Sequence, residues 1–298
     1  MMRVNSPDSI RFRVNSFFAL TKPGIIRTLL ITTVPTMFVA EKGTPSLWLI
    51  VATMVGGSLA AAGANSFNMV LDVDIDKKMN RTSNRPLVTG AITTKEATVF
   101  AFVLEVGAFI WLLGFVNLLS AFLAISATAF YVIVYTMWLK RSSTSNIVIG
   151  GAAGAVPVLI GWTAVTGTLG WAPIVLFSVI FFWTPPHFWA LSLILKDDYA
   201  EAGIPMMPVT SGVAATKKRI FIYTWLLLAL LPSAYFLTDS FSEIFWVPAF
   251  LLTTVFIFFA WRLLKSQGIE SAKPTYIFSL AYLALMFIAS IADSSINL

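Results

Sequence analysis

The chain has 298 residues, 58% of them hydrophobic and 11% charged, with a mean hydropathy of +0.84. That balance excludes an ordinary soluble domain and identifies an integral membrane protein. The absence of cysteine excludes disulfides, thiolate metal sites and covalent haem attachment, and a lone histidine, His187, excludes bis-histidine ligation within one chain. The net charge of +6 reads as basic inner loops rather than as a nucleic-acid surface, so no nucleic-acid partner is expected.

Residues 1–23 carry Arg3, Arg11, Arg13 and Lys22 ahead of Pro23. They lack the apolar core and small-residue cleavage site of a signal peptide, and read as a cytoplasmic tail. Nine stretches are then long and apolar enough, or nearly so, to cross a membrane as helices: near 24–41, 46–71, 96–115, 118–139, 146–166, 171–195, 218–237, 243–264 and 274–292. An all-α protein with nine transmembrane helices around a central cavity is expected. With the N-terminus inside, every Lys and Arg near a helix end except Lys42 falls on the inner face, and the C-terminus falls outside. The two longest inner loops, about 72–95 and 196–217, collect the acids. They emerge four helices apart on the same face, which fits one domain over 24–298 made of two four-helix halves and a ninth helix.

The first acidic loop grows out of the stretch Asn65 to Pro86, NSFNMVLDVDIDKKMNRTSNRP. On a helix Asn68, Asp72 and Asp76 stand four apart and line one stripe, with roughly 6 Å between successive members; Asn65 shares the stripe and Asp74 points elsewhere. A helix end entering water would account for these residues singly. Two carboxylates one turn apart with an amide one turn deeper also suit a hard, oxygen-seeking cation such as Mg²⁺, shared with a substrate phosphate. Arg81 and Arg85 follow closely and would hold the phosphate oxygens that the metal leaves free. Placed at the end of a membrane helix, the pattern points to function.

The second acidic loop offers Asp197, Asp198 and Glu201, with Asp198 the preferred metal ligand; a solvated loop accounts for them as well. Before it, Thr184-Pro185-Pro186-His187-Phe188-Trp189 should kink or break the sixth helix, since two prolines remove two backbone donors. His187 then lies about 12 Å before the inner helix end. It is either a hydrogen-bonded core histidine or a functional one, contacting a haem iron or acting as a general base. Glu105, mid-membrane, is a structural acid or part of a cavity wall. Lys140 and Arg141 close the fourth helix, as inner-face anchors or as phosphate ligands. Some of the 25 Phe, 10 Trp and 7 Tyr could line the cavity and stabilise a carbocation with their ring faces.

Asn68-x3-Asp72-x3-Asp76 followed by Arg81-Thr82 and Arg85-Pro86-Leu87, with an acidic loop four helices later, resembles the UbiA superfamily of intramembrane prenyltransferases. Leu20-Thr21-Lys22-Pro23, Leu139-Lys140-Arg141, Asn146 to Gly151, Gly161-Trp162, Thr184 to Trp189 and Asp198-Tyr199 are similar to the branch of that superfamily that farnesylates haem. The likeness is dense from about residue 20 to 215 and then thins to general hydropathy. It implies transfer of a farnesyl group from farnesyl diphosphate to a vinyl group of haem b, with water addition giving haem O for terminal oxidases.

The roles implied are Mg²⁺ on Asn68, Asp72, Asp76 and Asp198, diphosphate on Arg81, Arg85, Lys140 and Arg141, and haem at His187. Further implied are residence in the bacterial cytoplasmic membrane and, as a partner, the downstream haem-modifying enzyme or oxidase. Other branches carry a fuller Asp-x3-Asp second motif; here Ile194 and Ala202 stand four residues either side of Asp198, which weakens the second metal site. The alternatives are a UbiA-type enzyme with a quinone-precursor or chlorophyll-type acceptor, a secondary transporter, and a haem-binding electron carrier, the last disfavoured by the single histidine.

Overall fold

The computed structural model describes residues 10–296; Arg3 of the tail lies outside the described residues. The tail is not bare chain, because Ile10–Leu20 forms a helix (α1) that touches α3. Nine long helices follow: α2 Pro23–Glu41, α3 Leu47–Leu71, α4 Thr94–Phe115, α5 Leu118–Ser142, α6 Asn146–Thr166, α7 Trp171–Ile194, α8 Gly212–Tyr235, α9 Glu243–Lys265 and α10 Ala272–Ile296. The protein is all-helical among the described residues.

Their starts are written locally. Ser46, Thr93, Asn117 and Ser242 each accept a backbone N–H of the first turn, Thr93 in a capping box with Glu96. Eight of the helices are long and apolar enough to cross a membrane. The remaining one, α8, has 24 residues and carries Lys217, Lys218 and Arg219 near its start, which dilutes its hydropathy while leaving a mainly apolar run from Ile220.

Consecutive helices pack as neighbours through α2, α3, α4, α5 and α6, and again through α6, α7, α8 and α9. The last helix, α10, lies against α9 and α7 and also against α2, so it closes the ring. Gly161 lets α6 approach α2 backbone to backbone: a Cβ there would collide with the Thr33 carbonyl oxygen. Gly63 instead makes room for a side chain of α4: a Cβ there would stand 2.5 Å from Oε1 of Glu105. Glu105 is therefore buried against α3, and it is not among the residues that line the central cavity.

The break expected at Thr184–Trp189 does not occur. Helix α7 runs continuously through Pro185 and Pro186, both buried. Contacts with α6, α8 and α10 hold the segment helical although two backbone donors are missing, a case of packing overriding local preference.

Gly161→Val should lower the thermal midpoint in detergent, at a cost of about 1–3 kcal/mol for forcing volume into a closed contact. Gly107→Val, where nothing lies within 4 Å of an added Cβ, should leave it unchanged. Equal midpoints for the two variants would show that the α2–α6 approach is not tight.

Candidate active site

The Asn68, Asp72, Asp76 stripe survives the end of α3. The Asp72 N–H still bonds the Asn68 carbonyl at 3.0 Å, and the Asp76 N–H bonds the Asp72 carbonyl at 2.8 Å, so the four-residue register continues through the single turn Val73–Asp76. All three side chains are buried, Asp72 completely. Asp74 points away and is exposed, as the spacing predicts.

Buried carboxylates require partners, and each comes from a different segment. Lys140 Nζ donates to Asp72 Oδ2. Arg85 Nη1 donates to Asp76 Oδ2 at 2.6 Å. Lys22 Nζ donates to Asn68 Oδ1 at 2.6 Å, while Asn68 Nδ2 donates to Thr136 Oγ1 at 3.0 Å. The other carboxylate oxygen of Asp72 is buried with no hydrogen bond, and the Arg141 guanidinium stands 3.9 Å from it.

Arg141 itself is engaged elsewhere. It donates to both Asp74 oxygens, at 2.7 and 2.8 Å, and to the Leu71 carbonyl at 2.6 Å. These bonds hold the Asp74 carboxyl down at about 2 and strap α5 to the end of α3.

Lys22 enters the site through an unusual backbone. It has φ 51° and ψ 64°, the left-handed region, just before Pro23, a conformation that L side chains adopt at a cost of about 1–3 kcal/mol. Asn65 stabilises it by donating to the Thr21 carbonyl at 2.9 Å. Burial, and then the charges of Arg85 and Lys140, depress the Lys22 ammonium to about 7, with Asp72 and Asp76 opposing.

The inner part of α5 is a π-helix over Phe130–Leu139, the wider turn that recurs at functional sites. It sets Thr136, whose Oγ1 donates to the Tyr131 carbonyl at 2.9 Å, against Asn68, and brings Lys140 to Asp72. Tyr131 and Tyr135 stack with centroids 5.4 Å apart and both line the central cavity, of about 360 Å³. Tyr135 has room because Gly150 of α6 lacks a Cβ, which would overlap its ring.

The second acidic loop meets the first. Tyr199, in the short helix Lys196–Glu201, is buried with Ile75 and Met79 of the first loop, near the Arg81 guanidinium. Burial raises the Tyr199 phenol above its ordinary value. Asp198 is half-buried beside it, whereas Asp197 and Glu201 are exposed. Among the described residues no three acidic, histidine or cysteine side chains are gathered closely enough to hold a metal by themselves, so Asp198 is not drawn into the Asp72–Asp76 group.

His187 lines the same cavity as the tyrosine pair. Its ring lies between Trp183 and Tyr276, with centroids at 4.3 and 5.0 Å, and its Nδ1 is 2.7 Å from Ser279 Oγ.

Sequence reasoning placed Asn68, Asp72, Asp76, Arg85 and Lys140 in one cluster-forming region but gave no role to Lys22, Thr136, Tyr131 or Tyr135. The Lys-Pro step was a usable signal for Lys22; nothing in FYVIVYTMWL announces a π-helix.

Residues 29–291 match the UbiA prenyltransferase family. A protein named protoheme IX farnesyltransferase from Nostoc sp. is 46% identical over 282 residues, covering 94% of this chain and 89% of its own. Another of that name from Mycobacterium sp. is 47% identical over 297 residues, covering 98% and 94%. Among solved structures, a digeranylgeranylglyceryl phosphate synthase superposes with a TM-score of 0.77 at 19% identity, over 95% of this chain and 98% of that one. A UbiA homolog from Archaeoglobus fulgidus bound to DMAPP and Mg²⁺ superposes with a TM-score of 0.72 at 17% identity, over 93% and 99%. With an acidic stripe, its basic partners and a ring of membrane helices around one apolar cavity, the chain belongs to the UbiA prenyltransferase family.

Proposed function

We propose that the protein transfers the farnesyl group of farnesyl diphosphate to a vinyl group of haem b, with water addition, to give haem O. The observation that carries this is a cavity lined both by His187 and by Tyr131 and Tyr135, which stand on the π-helical segment that brings Lys140 to Asp72. A diphosphate at the cluster and a porphyrin beside His187 would share one apolar chamber. The two relatives named protoheme IX farnesyltransferase support the choice of acceptor.

The donor set fits Mg²⁺. It consists of oxygen atoms, Asp72 keeps one buried carboxylate oxygen without a hydrogen bond, and the scarcity of further acids leaves the remaining positions for phosphate and water, as Mg²⁺ prefers. Asp72 and Asp76, with Asn68 beside them, would hold it, and Asp198 stays outside this group. When bound, the cation neutralises charge developing on the departing diphosphate.

The protein's own part is to bind and shelter. Lys22, Arg85 and Lys140 now face Asn68, Asp76 and Asp72, and in the complex they turn to the diphosphate oxygens; Arg81 reaches them from beside Tyr199. As the C–O bond of the donor breaks, its electron pair leaves on the diphosphate. The allylic carbon is then flanked by the Tyr131 and Tyr135 rings, whose electron-rich faces favour positive charge, in a chamber that keeps bulk water out. The vinyl group supplies the electron pair for the new C–C bond, and water adds to the carbon left electron-deficient, giving up one proton as it becomes the hydroxyl. The farnesyl chain lies among the apolar side chains between α2 and α6.

In the membrane, the charged end of the bundle faces the cytoplasm and all nine long helices cross, with the C-terminus outside. The bacterial relatives fit residence in a bacterial cytoplasmic membrane.

Purified protein given haem b, farnesyl diphosphate and Mg²⁺ should yield a pigment heavier by one farnesyl group and one hydroxyl, read by mass spectrometry, and excess chelator should abolish it. Diphosphate release that requires a phenolic acceptor instead of haem would overturn the choice of acceptor. Asp72→Asn and Asp76→Asn should each lower kcat/KM by roughly 10²–10³-fold, the scale of losing one transition-state charge contact, while the variants remain folded. Gly150→Leu should push Tyr135 from its place and lower kcat with little change in the KM for farnesyl diphosphate; unchanged kcat would remove the tyrosine wall from the scheme. Because the chain lacks cysteine, Gly90→Cys and Lys42→Cys each introduce a single thiol. An impermeant maleimide added to intact cells should label the Lys42 variant and spare the Gly90 variant, and the reverse pattern would invert the orientation.

A further inference from the structure

Ser279 of α10 is the centre of a small hydrogen-bond system that the transfer chemistry described above does not use. Its hydroxyl donates to the Tyr276 carbonyl at 2.6 Å, and its own carbonyl accepts the Trp183 indole N–H at 2.8 Å. A hydroxyl has one proton. With that proton directed to Tyr276, Ser279 Oγ can only accept at its 2.7 Å contact with His187 Nδ1, so the imidazole carries its proton on Nδ1. The neutral ring then presents a lone pair on Nε2.

The ring cannot readily turn to another choice. Trp183 covers one face, with planes 18° apart, and Tyr276 covers the other, at 29°, and Ser279 itself is fully buried. Both faces and the Nδ1 edge are occupied by protein, yet His187 still lines the cavity and is only partly buried. The edge bearing Nε2 is the part of the ring left to meet it. A histidine whose second nitrogen donates to a fixed acceptor, leaving the first as a lone pair in an apolar space, is the arrangement found around metal-ligating imidazoles.

We propose that Ser279 is a positioning residue, which fixes the tautomer and aim of His187 so that the Nε2 lone pair meets the iron of the haem that the proposed function sets beside that ring. This rests on haem being the acceptor. Iron ligation anchors the porphyrin at one point, and the covered ring faces let it pivot little, so the vinyl group is presented to the allylic carbon in a narrow range of positions. No other histidine, and no cysteine, is available in the chain to replace it.

The test is a titration of the full-length protein in detergent with haem b and, separately, with metal-free protoporphyrin IX, followed by absorption and electron paramagnetic resonance spectra. Wild type should show the spectrum of histidine-ligated haem. Ser279→Ala should weaken haem binding by about 10–100-fold, the usual effect of removing the partner of a ligating histidine, raise the KM for haem and leave the KM for farnesyl diphosphate alone. Metal-free porphyrin should bind wild type, Ser279→Ala and His187→Gly alike, a result that a merely structural defect would not give. Added imidazole should restore the ligated spectrum in His187→Gly. A wild type that farnesylates haem b without a histidine-ligated spectrum, or a Ser279→Ala protein that loses both porphyrins equally, would overturn the inference and leave the activity standing. A wild type that farnesylates only a non-haem acceptor would remove the activity and this inference together.

Discussion

The ion pair between Asp72 and Lys140 is the contact on which the rest of the site depends. A carboxylate with no exposed surface at the end of a membrane helix is tolerable only if a cation reaches it, and breaking such a pair costs about 3–5 kcal/mol. Lys140 arrives from 68 positions along the chain, and it does so because the π-helical end of α5 delivers it. Asp76 and Asn68 repeat the arrangement with Arg85 and Lys22. Three segments are thereby tied to one helix end, and the same pairs that stabilise the protein supply charges of the kind a metal diphosphate needs. Exchange is the natural consequence: the acids can pass to a cation and the bases to phosphate oxygens without either set being left unpaired in a buried place.

Much of this was legible from residue types. Nine apolar stretches foretold nine long helices to within a few residues at most ends, because span length and cap chemistry are local properties. The i, i+4 stripe was legible for the same reason, and Asp74 fell on the other side as periodicity requires. What failed was non-local. Pro185 and Pro186 read as a kink or a break, and the helix is unbroken, since local rules count missing donors and cannot see α6, α8 and α10 packed around them. The tail read as cytoplasmic, with nothing to signal the helix α1 that touches α3. Arg141 read as an inner-face anchor or a phosphate ligand, and residue type alone could not show its bonds to Asp74 and Leu71.

Two features were hidden more deeply. A π-helix differs from an α-helix by one residue per turn, and the stretch from Phe130 to Leu139 is apolar all round, so no periodicity distinguishes them. The left-handed Lys22 is disfavoured both by its Cβ and by the following proline, and it exists because Asn65 grips the preceding carbonyl. Both departures occur where they bear on the charged cluster, in keeping with the way local rules yield at functional positions.

The closing helix gives the architecture its second purpose. If α10 merely filled a gap, its buried face would need only apolar side chains, and for much of its length that is what it offers: Tyr282, Leu283, Met286 and Phe287 join the largest core cluster. One turn before Tyr282 the pattern changes, and Ser279 sets a hydroxyl and a carbonyl against two aromatic residues of α7. Polar groups placed in a membrane core must find partners there, and here both partners, Trp183 and His187, border the cavity. Helix α3 supplies the charged end, and α10 orients His187 in the cavity wall. Because α2 packs against both helices, a single frame fixes the separation between the charged cluster and the His187 ring.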